Sequence, residues 1–401
     1  MTSGEVQVIR RQWWAWAVVV LVVAAAVAPL VHMWLTNPDD QRLVDLDVYR
    51  TGGQMLLEGR SVYDYVTPAP QLLPFTYPPI AAMLAVALAK MSWGTAQWVW
   101  TAGIFVALAV TVGFAFREVL RREALRQYVP WVFALLMVAC AYLMPIRDQV
   151  RFGQVDILLV ALCLADCVAR KPWWPRGFLI GLATAVKLTP GVFLIYLLVT
   201  RQWRTFSMAA FTTAVLTLLP FAVIPRDAAG FWFSALLDPG RVGANAATTN
   251  QSIRGMLLRL YMPDLATSLI WIVVVAVVAW YGFRGARDAY KANDHMTAVA
   301  LVGLMAVLLS PVAWIHHLAW VVVVLGAIVG DGRDPVRLRV AAGVWLYYVV
   351  PVPWWGVSLK AADIPGVSLV LGKIVQNGFG LGALALVWML VSWLPKRRKI
   401  T

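Results

Sequence analysis

The chain has 401 residues, 61% of them apolar and only 13% charged. A soluble domain carries about a quarter of its residues charged, so this composition excludes an ordinary water-soluble enzyme. The formal charge of +14 needs no nucleic-acid partner, because basic residues collect in short loops that face the cytoplasm and its anionic lipid.

Apolar runs recur from end to end, and a helix of about 20 residues crosses a bilayer with its own backbone bonds satisfied. The chain therefore reads as an all-α polytopic membrane protein. Apolar segments fall near 13–35, 78–91, 95–116, 129–146, 153–169, 177–186, 190–200, 205–224, 265–283, 296–312, 317–330, 340–353 and 366–394. The first is long enough to be a permanent span and not a cleaved signal, and Arg10 and Arg11 hold its start inside. Basic connectors follow at 117–126, 170–176, 201–204, 284–291 and 333–339, with Lys396, Arg397, Arg398 and Lys399 in the tail.

The loop 36–77 differs from these, with six acidic residues against three arginines. Positive-inside bias puts it outside. All basic connectors then fall inside only if 78–91 and 95–116 make one net crossing and 177–186 forms a hairpin with 190–200. Apolar pieces of about 10 to 14 residues suit such re-entrant or interfacial roles. Four loops are expected outside: 36–77, 145–152, 225–264 and 353–365. The whole chain, 1–401, reads as one membrane domain without a P-loop or dinucleotide fingerprint. Cys140, Cys163 and Cys167 lie inside apolar segments, so no disulfide framework or metal cluster is expected.

Polar residues at the membrane faces carry the candidates for chemistry. In LVDLDVYRTGG, Asp45, Asp47 and Tyr49 follow the first span. They belong either to a solvated amphipathic helix over 45–57 or to a cleft in which a carboxylate acts as general base. GQVD, at 153–156, opens an apolar segment, where Gln154 and Asp156 serve as helix caps or as ligands. Asp166 has a simple partner in Arg170, one turn on. Lys187, in GLATAVKLTPG, sits about 15 Å from the nearest basic loop and beside a helix break at Pro190. An intramembrane cation of this kind suits an anionic headgroup or phosphate. In the loop 225–264, Asn250, Gln251 and Arg254 are candidate sugar or phosphate ligands. Asn250 also meets the glycosylation pattern, a frequent chance match. His316 and His317 follow Pro311. As α-helical neighbours they point about 100° apart and make no chelating pair by themselves. They suit an aromatic belt or, facing a polar cavity, phosphate binding or proton relay.

These motifs in their order, D-L-x-V-Y (45–49), the Gly59-to-Tyr63 step, YPP (77–79), GQVD (153–156), KLTP (187–190), NQS (250–252) and SPVAWIHH (310–317), resemble glycosyltransferase family 87. The likeness covers about residues 40 to 330 and looks strongest to the actinobacterial α-(1→2)-mannosyltransferases. It implies a GT-C bundle of about 11–13 membrane helices, some short or re-entrant. It also implies a polyprenyl-phosphate mannose donor, a phosphatidylinositol mannoside-like acceptor and an active site on the outer face of the plasma membrane. The catalytic aspartate it implies is Asp45. Lys187, His316, His317 and Arg254 then face the leaving phosphate, with Asp47, Tyr49, Gln154, Asn250 and Gln251 in support. A β-linked donor and a single displacement would give an α-mannoside. No cofactor is expected, although Asp45 with Asp47 leaves a divalent metal open. Rival readings are an arabinosyl or lipomannan-branching transferase on the same fold, and a transporter or flippase of lipid-linked sugar.

Overall fold

In a bilayer core the backbone finds no water to bond, so an apolar chain is driven into helices that satisfy themselves. The computed structural model, which describes residues 3–38 and 41–398, follows that rule. Among the described residues there is no strand, only isolated bridges between Val66 and Pro74 and between Asn250 and Trp314. The side chains of Arg10 and Arg11, and all of Asp39, Asp40 and Lys399, lie outside the described residues.

In chain order the helices are α1 (Ser3–Thr36), α2 (Val44–Leu57), α3 (Pro79–Ala89), α4 (Trp93–Ala115), α5 (Arg117–Leu120), α6 (Val129–Ala141) and α7 (Met144–Phe152). Then come α8 (Asp156–Val168), α9 (Phe178–Val186), α10 (Val192–Val199), α11 (Trp203–Val223), α12 (Pro225–Phe233), α13 (Ile253–Leu258) and α14 (Asp264–Lys291). The chain continues with α15 (His295–Leu308), α16 (Val321–Val329), α17 (Pro335–Val349), α18 (Val352–Ala361), α19 (Ser368–Gln376) and α20 (Gly378–Trp388). The expected set of membrane helices resolves into six stretches long and apolar enough to span, one pair bent by 52° (α17 with α18), and four shorter apolar helices. The span of α14 is only 11% buried and turns Leu269, Ile272, Val273 and Val277 outward. By contrast, α15 is buried from Met296 to Leu308, and α16 from Val321 to Ile328. Helices apolar all round form the centre of the bundle.

The chain reverses direction at both places where the crossing count expects it. A Cβ on Gly177 would stand 2.2 Å from Thr205 O, and one on Gly181 would stand 2.6 Å from Ala209 O. Those close approaches make α9 and α11 run side by side in the same direction, as small residues allow in membrane helices. Since α10 lies between them in the chain, it must return, so α9 and α10 form a hairpin with Lys187 at its tip. Likewise Tyr49 packs against both Tyr77, just before α3, and Trp100, two turns into α4, at ring distances of 5.1 and 5.6 Å. The chain therefore doubles back between α3 and the second turn of α4.

Several expected loops are structured. The segment 353–365 is mostly α18, which packs on α19, and 366–394 is divided between α19 and α20. Pro145, at the start of α7, separates the expected 129–146 segment into α6 and the amphipathic MPIRDQVRF helix. Asp166 is buried and does not pair with Arg170. Its carboxylate accepts from the backbone N–H of Gly177 and Ile180 and from Trp174 Nε1, and so fixes the start of α9.

The polar segments sort to opposite ends. Asp227 accepts from Val62 N at 2.8 Å, Leu43 N donates to Arg151 O at 3.0 Å, and Gln251 Nε2 donates to Gln376 O at 3.0 Å. These bonds tie three of the four expected outer loops, 36–77, 145–152 and 225–264, to one another and to the end of α19. At the other end Arg122 bonds Gly332 O at 3.1 Å and Arg397 pairs with Asp334 at 2.6 Å.

Candidate active site

The helix α2 lies in the first loop, and its spacing separates its two carboxylates. Asp45 and Tyr49 are one turn apart and share a face, whereas Asp47 is about 200° round the axis from Asp45. Asp47 is half-buried toward Arg50, whose guanidinium donates to Met91 O at 3.1 Å. Behind α2, Gly153 ends α7 in the left-handed region at φ 71°, where a Cβ would come within 2.8 Å of Leu46 Cβ. Only glycine lets the chain turn there. The turn delivers Gln154.

Tyr49 donates to Gln154 Oε1 at 3.2 Å, Tyr77 approaches the same oxygen at 3.5 Å, and the two phenol oxygens are 2.9 Å apart. With its oxygen so occupied, the Gln154 amide is left to hydrogen-bond the Asp45 carboxylate. Burial pushes Asp45 up to about 7, against the pull of the Gln154 bond and Lys187 and with a push from Asp156. Burial also raises Asp47, offset by Arg50. It carries Tyr77 up to about 12, so that phenol stays neutral.

Next to this group, the hairpin tip brings in Lys187, whose helix α9 ends in extended backbone just before Pro190. Its Nζ is 2.7 Å from Asp156 Oδ1 and 3.0 Å from His317 Nε2, and stands 5.3 Å from the centre of the Tyr77 ring. The histidines lie on a 3₁₀ turn, Ile315–Trp320, and not on an α-helix. Their rings meet edge to face at 4.7 Å, and each Nε2 is 3.8 Å from Asp156 Oδ2. The pair thus converges after all, because Asp156, on another helix, supplies the common partner. Asp156, His316 and His317 offer ligand atoms within 4.8 Å of one another, a set of a type that could hold a transition metal. The Lys187 ammonium brings positive charge to the same set. Among the described residues, the buried Asp156 Oδ2, His316 Nε2 and His317 Nδ1 have no hydrogen-bond partner, so polar capacity remains for a substrate.

The NQS segment secures the histidine turn. Asn250 Oδ1 accepts from Ala313 N at 3.0 Å, Gln251 N donates to Ala313 O at 2.7 Å and Ser252 Oγ donates to Pro311 O at 3.0 Å. From the opposite side Gln149 Nε2 donates to His316 O at 2.8 Å.

The expected residues Asp45, Tyr49, Gln154, Lys187, His316 and His317 therefore come together. Asn250 and Gln251 do not join them. Both are fully buried, with their amides bonded to Asn245 O and to Thr248 O and Gln376 O. Burial also closes Asn250 to a glycan. Arg254 stacks 5.2 Å from the Trp271 ring instead. Two members escaped the sequence reading. Asp156 reads there as a cap or a ligand with no place in the reacting set, and Tyr77 as an unassigned motif residue. A lysine inside the membrane requires a counter-ion, and that requirement was the signal for Asp156.

Comparison with known proteins bears on the chemistry of this cluster. A polyprenol-phosphate-mannose-dependent α-(1-2)-phosphatidylinositol mannoside mannosyltransferase of Mycolicibacterium smegmatis is 36% identical over 332 residues, 77% of this chain and 76% of its own. The corresponding phosphatidylinositol pentamannoside mannosyltransferase of the same organism is 29% identical over 339 residues, 83% of this chain and 81% of its own. An α-(1->3)-arabinofuranosyltransferase of Corynebacterium glutamicum is 26% identical over 252 residues, 61% of this chain and 56% of its own. The family model described as glycosyltransferase family 87 matches residues 75–311, which include Tyr77, Gln154, Asp156 and Lys187. With that match and a relative of this similarity along most of its length, the chain belongs to glycosyltransferase family 87.

Proposed function

We propose that the protein transfers mannose from polyprenyl-phosphate mannose to a lipid-bound mannoside of the phosphatidylinositol mannoside type, forming an α-(1→2) bond by a single inverting displacement. The observation that carries this reading is the chain of contacts from Asp45 through Gln154 to the Tyr77 phenol, whose ring faces the Lys187 ammonium at 5.3 Å. It sets a base and a cation in one buried cluster at the end of the molecule where the acidic loop lies. A lipid-linked substrate fits that position, since its phosphate stays at the interface while its tail remains in hydrocarbon.

In this mechanism Asp45 takes the proton of the acceptor hydroxyl as that oxygen bonds to the anomeric carbon. The bond from that carbon to the phosphate oxygen breaks, and polyprenyl phosphate leaves. Lys187 balances the charge that develops on the phosphate, and His316 and His317 hydrogen-bond its oxygens. Asp156 holds the lysine and both imidazoles around one point. Asp47 stands outside the reacting group. The cluster works on the outer face of the plasma membrane, as the acidity of 36–77 supports. No step calls for a metal.

A related reading keeps the mechanism and changes the sugar to arabinose, and the arabinofuranosyltransferase relative favours it as runner-up. Purified protein in nanodiscs, offered labelled polyprenyl-phosphate mannose or the arabinose counterpart with acceptor lipid, distinguishes the two. Labelled mannolipid with an α-(1→2) linkage by NMR is expected. Arabinose transfer alone would replace the mannose assignment.

A further inference from the structure

At the other end of α4 and α8 there is a cavity. Trp100 bonds Gly153 O near the active site, and Arg117 lies about 25 Å further along the axis at 1.5 Å per residue. The cavity, of about 340 Å³, has Arg117, Arg121 and Arg170 on one side and Val110, Gly113 and Phe114 on the other.

The nearest acidic charge to it is that of Glu118, which acts on Arg117 without pairing with it. Among the described residues none of the three guanidiniums forms an ion pair, Glu118 included. Arg117 donates to Val168 O at 2.8 Å, and Arg176 takes the carbonyls of Asp166 and Ala169. The last turn of α8 is thereby capped, and Arg121 and Arg170 are exposed beside it with no such duty. Three arginines around one cavity match a phosphate, which guanidinium groups bind through paired hydrogen bonds.

The opposite wall is membrane surface. It belongs to the span Trp93–Ala115, and Val99, Val106 and Val110 are 47%, 63% and 40% exposed along it. Their spacing of seven and then four residues keeps them on one helical face. That strip leads from the hydrocarbon region directly to the arginines. A soluble anion would use only the charged half of this surface, and a neutral lipid only the apolar half.

We infer that this cleft binds one anionic glycerophospholipid from the leaflet on the basic side of the protein. Its phosphate lies among Arg117, Arg121 and Arg170, and an acyl chain follows Val110, Val106 and Val99. The site is separate from the transfer reaction and does not depend on which sugar is moved.

Native mass spectrometry of the full chain in neutral detergent, titrated with phosphatidylglycerol, phosphatidylcholine or glycerol phosphate, tests this. Wild type is expected to retain one phosphatidylglycerol in preference to the other two. Affinity should fall roughly fivefold for each guanidinium removed by Arg→Gln substitution, in line with the weight of a basic residue at an anionic surface. Arg204→Gln, on an exposed arginine outside the cleft, should leave it unchanged. If Arg117→Gln disturbs the α8 cap and lowers the melting temperature, the Arg121→Gln/Arg170→Gln double variant carries the test. Equal phosphatidylglycerol affinity in that double variant would overturn the site. So would phosphatidylcholine binding as tightly, or glycerol phosphate competing as well as the intact lipid.

Discussion

Lys187 and Asp156, 31 residues apart in sequence, meet at 2.7 Å with only 12% and 9% of their side chains exposed. The lysine caps α9 at a hairpin tip and the aspartate opens α8, so their pairing locks two membrane elements together. Desolvation offsets much of what such a pair gains, yet removing one partner leaves the other charge buried alone, at a cost of about 3–5 kcal/mol. Lys187→Met and Asp156→Asn should therefore each lower the melting temperature in detergent by several degrees. The double variant should recover much of that loss while transfer stays abolished. Recovery of both stability and activity would confine the pair to a structural role.

The pH dependence follows from Asp45. Burial raises its carboxyl to about 7, so the base form is present above that pH and is lost as pH falls through it. The rate constant kcat/KM should thus decline about tenfold per unit below pH 7. The Gln154 bond opposes the burial effect, and its removal should push the carboxyl higher still. In Gln154→Leu the midpoint of the pH profile should move to alkaline pH. A profile unmoved by this change, in a variant that still folds, would separate Gln154 from the base.

Asn250 offers a way to distinguish holding the site from touching the substrate. Asn250→Ala leaves the buried Ala313 and Ser252 N–H groups without their acceptor, at about 1–3 kcal/mol for each group so exposed. The melting temperature and kcat should fall together, while donor KM changes by less than about threefold. A large rise in KM at unchanged stability would return Asn250 to the substrate-binding set.

The helical membrane architecture was legible because lipid imposes one strong rule, and apolar length reports it directly. Even the hairpin tip at Lys187 followed from arginines flanking 177–200. Side-chain convergence was less legible. The histidines read as divergent because adjacent residues on an α-helix diverge. A 3₁₀ turn and a carboxylate some 160 residues earlier in the chain bring them together at 3.8 Å from one oxygen. Asn250 and Gln251 read as ligands for the opposite reason. Polar residues in an outer loop look free, yet here their amides meet backbone that only the folded chain brings near. The two carboxylates of α2 were separable from the start, since helical geometry alone sets Asp45 beside Tyr49 and turns Asp47 away.

The central claim is that Asp45 is the base for glycosyl transfer, and one assay bears on it directly. Asp45→Asn and Asp47→Asn proteins, matched to wild type by melting temperature, are given labelled polyprenyl-phosphate mannose and acceptor lipid, and labelled mannolipid is counted. Loss of general-base catalysis predicts a rate lower by about 10²–10⁴ for Asp45→Asn, with Asp47→Asn within about fivefold of wild type. Turnover by Asp45→Asn near the wild-type rate, with the fold intact, would contradict the account.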